Sequence, residues 1–494
     1  MPSVHDQLAR TISSGSSIGS SKQIRATVDE LLQSFNGEEL LEDGTPVHVN
    51  TVGVHMPRES KILLRPFNET VPSEIKQFSS VSDPASIRKI CVSKVPGWSE
   101  IEPESLVLSQ LCEGLSNQIF KVSLPSIVNL TGSPVSNASS TTPHHSYPYA
   151  CVLFRVHGKD SNTLYDTELE LKIFKALSRY QIGPQLIAFD AANGAWRIEE
   201  WHYAVTVPCR SLRNPSIFGQ VASALGRFHK LHKRRDFPVD FPRVSATLMR
   251  LKSWGNNAKV GNLGDRLNVT RMIQEANWLS DRIKAKIAEP HPAGQGLDLV
   301  FSHNDVQENN LLQTQYGLRI IDFEYAHFNE QAYDIGNFFL EFTMDYTEKT
   351  YPFYSTDLSA YPDEESKRLF ASIYLSEYFE TPILPSNRQM IDPLLENVKL
   401  FELASHIKWA LWSVIRAPQS PTFEEFDFLH YAKFRFDCYL RDKARILNRG
   451  QPNCPHKKSS GSGLLGSTGE GFLLGGLIGI GLVAVMASFK QIAK

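Results

Sequence analysis

The sequence predicts an α+β fold with a small β-rich N-terminal lobe, a mainly helical C-terminal lobe and a C-terminal transmembrane segment. Two patterns predict the lobes: strand-like runs precede His157, and helical runs dominate from about residue 215 onwards. A third pattern, a long uncharged apolar run near the C-terminus, predicts the membrane segment. With 494 residues, the chain is long enough to form two lobes around one deep cleft.

Before the strand-rich part, residues 1–80 are predicted to be mostly disordered or irregular. The first 25 residues are rich in Ser and Gly and poor in apolar side chains. The N-terminal lobe is predicted at 85–200, where the Ser/Thr/Pro/Asn-rich residues 126–147 form a long hairpin loop. Further predicted elements of this lobe are a strand at 150–156, a helix at about 165–179 and an interlobe hinge at 197–203.

The C-terminal lobe is predicted at 201–447, followed by a Gly/Ser/Pro linker at 448–468. Its predicted helices lie near 215–233, 270–288, 366–379 and 395–416. Residues 471–489 carry no charge, and as a helix they would be about 28 Å long, close to the ~30 Å hydrocarbon core of a bilayer. We expect this span to anchor the chain in an intracellular membrane, with both lobes in the cytoplasm. The alternative is a glycine-rich apolar helix packed against the lobes or a partner.

Charge and cysteine usage exclude two classes of protein. Lys plus Arg number 51 and Asp plus Glu 53, so the chain lacks the basic excess of a nucleic-acid-binding protein. The six cysteines form no Cys-x-x-Cys pair and no zinc spacing, which indicates a reduced, cytoplasmic setting. The N-terminus has no apolar h-region, so we expect no signal peptide.

The most informative stretch covers Phe301–Leu312 and Ile320–Tyr325. It contains a His-x-Asp ending at Asp305, an Asn five residues later at Asn310, and Asp322 after the next apolar run. Kinases of the protein-kinase-like fold use this layout: the first Asp orients the attacking hydroxyl, and the Asn and second Asp hold Mg²⁺ on the ATP phosphates. The intervening apolar runs predict a β-hairpin that brings these residues to one cleft. The alternative is a turn in which Asp305 only caps backbone amides.

Three neighbouring polar residues are predicted to support this stretch. Asp334 is expected to brace the catalytic loop, and His303 to bond to the backbone or to the metal-binding Asp. His229 lies on an amphipathic run and is expected to be structural.

Longer runs resemble the choline/ethanolamine kinase family. Besides the stretch above, the resemblance rests on Leu111–Phe120, Ile182–Pro184, Arg197–Glu200, Tyr333–Asn337 and Ser405–Trp412, in this order. It covers roughly residues 85–447 and implies a two-lobed kinase fold, often dimeric. It also implies ATP-dependent phosphorylation of choline to phosphocholine, the first step of phosphatidylcholine synthesis. Ethanolamine kinase or dual use is the alternative.

Two alternatives come from outside this family. A membrane-tethered pseudokinase scaffold has no need of an intact Asp305, Asn310 and Asp322, which argues against it. A protein kinase would carry a Gly-rich loop and an Asp-Phe-Gly run, whereas this chain has one Gly in the corresponding turn and reads Asp-Phe-Glu at 322–324.

On the nucleotide side, the resemblance implies phosphate contacts from Ser116 and Asn117 in the Glu-Gly-Leu-Ser-Asn turn. Without the resemblance, this would be an ordinary hairpin turn. Glu200 and His202 lie in the predicted hinge, where backbone groups are expected to contact adenine.

A cationic strand residue is also expected to contact ATP. Alternation along Cys151–Val156 places Arg155 opposite the apolar side chains of that strand. Protein kinases have a Lys here that pairs with a helix Glu and holds the α and β phosphates, a role that the Arg155 fork can fill. Glu170 is the predicted partner, and Glu168 is the open alternative.

The acceptor side must bind a quaternary ammonium group, which needs aromatic faces and nearby carboxylates. Trp409 and Trp412 share one face of a predicted helix, although Trp-x-x-Trp alone is more often a core pattern. The resemblance implies Tyr346 and Tyr431 as aromatic walls and Glu341 as the carboxylate near the ammonium. Glu341 is followed here by Phe, where the family commonly has Trp.

Overall fold

The computed structural model describes residues 83–448 apart from 114–116, 126–147, 158–163, 165, 191–193, 239, 259–266, 315–316 and 420–425. Within these residues the chain forms two lobes, and each lobe has its own hydrophobic core. The connection between the lobe sheets, residues 201–203, lies inside the hinge predicted at 197–203. The two-lobed α+β architecture is therefore confirmed.

The N-terminal lobe is built on a five-stranded antiparallel sheet with strand order β1-β2-β3-β5-β4. The strands are β1 (Val107–Glu113), β2 (Asn117–Ser123), β3 (Cys151–His157), β4 (Leu186–Phe189) and β5 (Trp196–Glu200), with helices α1 (Pro84–Lys94) and α2 (Thr167–Arg179). Asp166 begins α2 by accepting the N–H groups of Glu168 and Leu169. One face of α2 packs into the core of the C-terminal lobe, which fixes the position of the helix beside the cleft.

The C-terminal lobe is mainly helical, with short strands around the catalytic loop. Its strands are β6 (Ala204–Thr206), β7 (Leu299–Ser302), β8 (Leu311–Thr314), β9 (Gly317–Ile320), β10 (His327–Glu330), β11 (Met344–Asp345) and β12 (Ser355–Thr356). Its helices are α3 (Pro215–His229), α4 (Ala246–Ala258), α5 (Val269–Ala288), α6 (Gln331–Glu341), α7 (Glu364–Phe379), α8 (Arg388–Arg416) and α9 (Phe428–Asn448). The long helix α8 packs against the five others from α4 to α9.

Two strand pairs position the chemistry. The predicted hairpin is confirmed as β8 and β9, with Leu311 opposite Ile320. It places Asn310 before its first strand and Asp322 after its second. Antiparallel pairing of β7 with β10 places the loop after Ser302 beside the start of α6. All the motif residues are thereby brought to one edge of the lobe.

The predicted transmembrane segment is corrected. Among the residues that the structure describes, no helix is both long and apolar enough to cross a membrane. The long helices α8 and α9 bury one face in the lobe and carry charged side chains along the other, so neither is apolar along its length. Over the described residues the fold class is therefore a two-lobed kinase-like fold, and none of its helices is a candidate membrane span. Residues 471–489, on which the prediction was based, lie outside the described residues, as do 1–80 and 449–468.

Candidate active site

The catalytic loop after β7 is held in shape by Asp334, in the first turn of α6. One carboxylate oxygen of Asp334 accepts the backbone N–H of His303 at 2.7 Å, and the other accepts that of Asn304 at 2.7 Å. His229 Nε2 donates to the same carboxylate at 2.9 Å, and His303 Nε2 donates to the Ile321 carbonyl at 2.9 Å. The predicted bracing role of Asp334 and the structural roles of both histidines are confirmed.

Asp305 and Asn310 face each other across the turn that follows. Asn310 Nδ2 donates to the Asp305 carbonyl oxygen at 2.9 Å and to Asp305 Oδ2 at 3.1 Å. Because Asp305 uses the amide nitrogen, Oδ1 is the atom of Asn310 that can bind a metal ion. The Asp305 carboxylate remains only half-buried at the pocket surface.

Asp322 lies directly beyond the second hairpin strand with a backbone φ of +65°. In the described part of the chain, its buried Oδ1 atom has no hydrogen-bond partner. A buried carboxylate oxygen without a partner is unfavourable unless a cation or donor binds it. The described residues contain no cluster of three His, Cys, Asp or Glu side chains arranged for a metal. Mg²⁺ usually takes one or two protein carboxylates plus phosphates and water, so Asn310 and Asp322 fit Mg²⁺ that arrives with a nucleotide.

The site holds more negative charge than its cations balance. Burial raises the pKa of Asp305 to about 7; Lys408 opposes this shift, and Glu341 and Asp322 add to it. Burial also raises the pKa of Glu324 to about 8, and Asp322 acts in the same direction. A carboxylate with a pKa near neutrality is well matched to accepting a proton from a hydroxyl. The clustered carboxylates also favour binding of divalent cations.

Glu341 ends α6 and forms the acidic wall of the pocket. Its Oε2 accepts the Tyr346 hydroxyl at 2.9 Å, and its Oε1 accepts Arg435 Nη1 at 3.3 Å. The Tyr346 and Tyr431 hydroxyls lie 2.8 Å apart. Burial raises the pKa of Glu341, whereas Arg435 lowers it. The structure thus brings the three predicted acceptor residues Glu341, Tyr346 and Tyr431 together.

The two tryptophans of α8 have different surroundings. Trp409 is 7% exposed, and its Nε1 donates to Asn337 Oδ1 at 2.8 Å. Trp412 is half-buried, and its Nε1 donates to the Tyr325 hydroxyl at 2.9 Å. Their ring centroids lie 5.7 Å apart in an edge-to-face arrangement. Trp409 is therefore partly a core residue, as the alternative interpretation held, and both tryptophans also line the pocket.

One pocket of about 310 Å³ joins the catalytic and acceptor residues. Its lining includes Asp305, Asn310, Asp322, Glu324, Tyr325, Glu341, Tyr346, Trp409, Trp412, Phe426, Phe428 and Tyr431. Two larger clefts, of about 630 and 900 Å³, lie elsewhere and contain none of these residues. We assign the active site to the smaller pocket. Phosphoryl transfer needs a general base and metal-binding oxygens at one place, and this pocket contains both.

The predicted pair between Arg155 and Glu170 is wrong. Arg155 Nε donates instead to Glu199 Oε1 at 3.0 Å, and Glu170 Oε1 accepts Arg197 Nη1 at 2.5 Å. Arg197 Nε also donates to Glu199 Oε1, at 2.6 Å. The reason is the antiparallel register of β3 and β5, which sets Arg155 beside Arg197. Glu170 is thus three links away from Arg155 in one buried chain of charges, and the open alternative Glu168 is exposed.

The hinge residues lie where the sequence placed them. Glu200 ends β5, and its Oε2 accepts the backbone N–H of Gln185 at 3.2 Å. His202 follows in the connection, with its Nε2 4.0 Å from Glu200 Oε2. Backbone pairing places Asn117 opposite His157, whereas Ser116 lies outside the described residues.

Sequence reasoning missed several residues of the pocket. Tyr325, Phe426 and Phe428 extend its aromatic wall, and Phe428 lies 5.4 Å from the Trp412 ring. Glu324 was noted only as a departure from Asp-Phe-Gly, and no role was assigned to it. Arg435 lies one helical turn after Tyr431, so an i,i+4 search from the predicted aromatic residue would have found it.

Comparisons with known proteins agree with this geometry. A family model described as choline/ethanolamine kinase matches residues 108–440. A Rattus norvegicus protein named choline/ethanolamine kinase is 29% identical over 391 residues, covering 77% of this chain and 92% of its own. A choline kinase structure from Cryptosporidium parvum is 32% identical with a TM-score of 0.63, covering 74% of this chain and 97% of its own. A structure of an ethanolamine kinase from Plasmodium vivax is 19% identical with a TM-score of 0.53, covering 72% of this chain and 86% of its own. At this identity it shows a similar fold and nothing more.

Proposed function

The chain belongs to the choline/ethanolamine kinase family, and on this premise we propose that it transfers the γ-phosphoryl group of ATP to the hydroxyl of choline. The products are ADP and phosphocholine, and the reaction is the first step of phosphatidylcholine synthesis. The observation that carries the proposal is the pocket in which Asp305 and the metal-binding oxygens meet an aromatic and acidic wall.

The pocket residues divide the chemistry between them. Asp305 accepts the proton of the choline hydroxyl while the hydroxyl oxygen attacks the γ-phosphorus. The bond between the γ-phosphorus and the oxygen that bridges it to the β-phosphate breaks, and ADP leaves with that oxygen and the bonding electron pair. Asn310 Oδ1 and the unpartnered Asp322 Oδ1 would hold Mg²⁺, which neutralises phosphate charge when bound. Arg155 is our candidate for a phosphate contact, because it pairs with Glu199 and lies close enough to Asp322 for their charges to interact.

The acceptor wall favours a quaternary ammonium group over a primary one. Both Glu341 oxygens already accept a hydrogen bond, from Tyr346 and from Arg435. The carboxylate therefore offers negative charge, while part of its hydrogen-bonding capacity is already in use and less remains for the N–H donors of ethanolamine. A trimethylammonium group needs no such acceptor and gains about 0.5–2 kcal/mol from each aromatic face, of which Trp412 and Phe428 are examples.

The test is a coupled assay of ADP release by the full chain with ATP and Mg²⁺. Choline, ethanolamine, an aminoglycoside and a protein substrate are offered separately, and water alone gives the background hydrolysis rate. We expect the highest kcat/KM with choline. A preference for ethanolamine would contradict the choline assignment and retain the family chemistry, whereas ADP release at the background rate with every acceptor would contradict the function itself.

A further inference from the structure

Behind the pocket, a buried lysine of α8 bonds to the catalytic loop. Lys408 is 1% exposed, and its Nζ donates to the Asn304 carbonyl oxygen at 2.7 Å. This carbonyl belongs to the peptide group that leads directly into Asp305. We propose that Lys408 is a positioning residue for phosphoryl transfer, which holds the Asn304–Asp305 peptide so that the Asp305 carboxylate faces the acceptor hydroxyl. The proposal rests on the proposed function of Asp305 as the proton acceptor.

Asn304 needs such a restraint because its backbone is in an unfavourable conformation. Its φ is +67°, in the left-handed region that residues with a Cβ rarely adopt. Other contacts fix the rest of the residue. Its N–H bonds to Asp334, its Oδ1 accepts Asn329 Nδ2 at 2.7 Å, and its Nδ2 donates to the backbone carbonyls of Ser302, Tyr325 and His327. The carbonyl oxygen is the remaining polar atom, and Lys408 supplies its hydrogen bond.

A peptide group is planar, so fixing one carbonyl also fixes the N–H on its far side. That N–H belongs to Asp305 and donates to His303 Nδ1 at 3.3 Å. Lys408 on one side and His303 on the other therefore hold the same plane from two directions. Rotation of this plane would turn the Cα–Cβ bond of Asp305 away from the acceptor.

Lys408 is not held in place by an ion pair with any described residue. Among the described residues, no carboxylate lies within ion-pair distance of its Nζ, which contacts the rings of Trp409 at 4.1 Å and Tyr333 at 4.7 Å. Burial lowers the pKa of Lys408 and Arg250 lowers it further, whereas Asp305 and Asp334 oppose the shift. A methionine could fill this volume without a buried amine. In either protonation state the amine keeps an N–H to donate, which is the property that the Asn304 carbonyl requires.

The test compares Lys408→Met and Lys408→Gln with the wild-type chain, using whichever acceptor the wild type phosphorylates. Lys399→Met on the same helix is the matched control, because in the described part of the chain Lys399 pairs with Glu396 and has no contact with the catalytic loop. The assay measures kcat, both KM values and the ratio of phosphorylated acceptor to ADP. Thermal unfolding gives the folded fraction of each variant at the assay temperature.

For Lys408→Met, we expect kcat to fall about 10–100-fold, since misplacing a catalytic group by about 1 Å has costs of this size. Both KM values should stay within about threefold, and more ADP should form without phosphorylated acceptor, because water replaces an acceptor that Asp305 no longer engages. Lys408→Gln keeps an N–H donor on a side chain that is one atom shorter, so its kcat should lie between those of the wild type and Lys408→Met. The kcat of Lys399→Met should match that of the wild type.

The proposal would be overturned if either folded Lys408 variant kept the wild-type kcat and the wild-type ratio of phosphorylated acceptor to ADP. A loss of activity that only follows the loss of folded protein would also overturn it, because that is the result of a purely structural role. A wild-type chain that phosphorylates no acceptor would instead contradict the proposed function, so the two failures are distinguishable.

Discussion

Four carboxylates surround the small active-site pocket: those of Asp305, Asp322, Glu324 and Glu341. Carboxylates crowded in this way raise one another's pKa values unless cations balance them. Burial raises the pKa of Asp305 to about 7 and that of Glu324 to about 8, and neighbouring carboxylates add to both shifts. Under the proposed function, the acceptor ammonium and the metal that accompanies ATP would supply the missing positive charge.

The raised pKa of Asp305 has a measurable consequence. A protonated Asp305 cannot accept the hydroxyl proton, so kcat/KM for the acceptor should fall as the pH falls through about 7. Because Glu341 contributes to the raised pKa, Glu341→Gln should move this acidic limb to lower pH. Glu377→Gln is the control, since Glu377 bonds to Ser223 on the far side of α3. An acidic limb at the same pH in wild type and Glu341→Gln would contradict the assignment of the limb to Asp305.

Trp412 offers a cleaner test of the aromatic wall than Trp409, which is also a core residue. Trp412→Ala removes one half-buried ring face, so KM for choline should rise about 5–30-fold while KM for ATP stays nearly unchanged. Trp278→Ala is the control. Trp278 lies on α5, where its ring stacks under the ammonium group of Lys443 from α9, and it does not line the pocket. Equal increases in both KM values would indicate packing instead of acceptor binding.

At the scale of elements, sheet register explains the main error in the predicted site. The strand pattern correctly placed Arg155 on the polar face of β3, but it could not show which strand lies alongside. Pairing with β5 brings Arg197 and Glu199 next to Arg155. Arg197 and Glu199 are two residues apart on one strand and so share a face, which is the local signal that sequence reasoning could have used.

The buried charges of β3, β5 and α2 should be essential to the N-terminal lobe. Although burial opposes it, Arg197 and Arg155 lower the pKa of Glu199 to about 2, so this carboxylate is ionised and depends on them. Arg197→Met leaves Glu170 and Glu199 without their shared partner, and we expect the free energy of unfolding to fall by about 3–5 kcal/mol.

Chemical denaturation checks this expectation against Lys172→Met, which breaks an exposed pair with Glu168 on α2. That control should hardly change the midpoint, because solvent screens exposed ion pairs. A similar midpoint for both variants would show that the buried network contributes no more than the surface pair.

Three helices of the C-terminal lobe were predicted near their observed positions, and each has one partly exposed face. The predicted helices near 215–233, 270–288 and 366–379 correspond to α3, α5 and α7, whose ends differ by a few residues. Helix α6 was missed because all of its residues are buried, so no polar face marks its period. Helix α8 begins at Arg388, before the predicted residue 395, and its early turns contain Pro393, a residue type that more often marks a helix boundary.

At the scale of the whole molecule, the order of the motifs predicted two lobes and one shared site. What the sequence could not supply was distance across the fold. Asp305 and Glu341 are far apart in the chain, and only the packing of α6 beside β7 brings both into one pocket. The domain boundaries, the homodimer and the cytoplasmic location of the kinase domain stay predictions.

The most direct measurement is ³¹P NMR of the products that the full chain forms from ATP, Mg²⁺ and choline, compared between wild type and Asp305→Asn. The substitution keeps the shape of the side chain and removes its ability to accept the proton. We expect a phosphocholine signal with the wild type and a rate lowered about 10²–10⁴-fold with the folded variant. Phosphocholine formation at nearly equal rates by both proteins, or only inorganic phosphate from the wild type, would contradict the account.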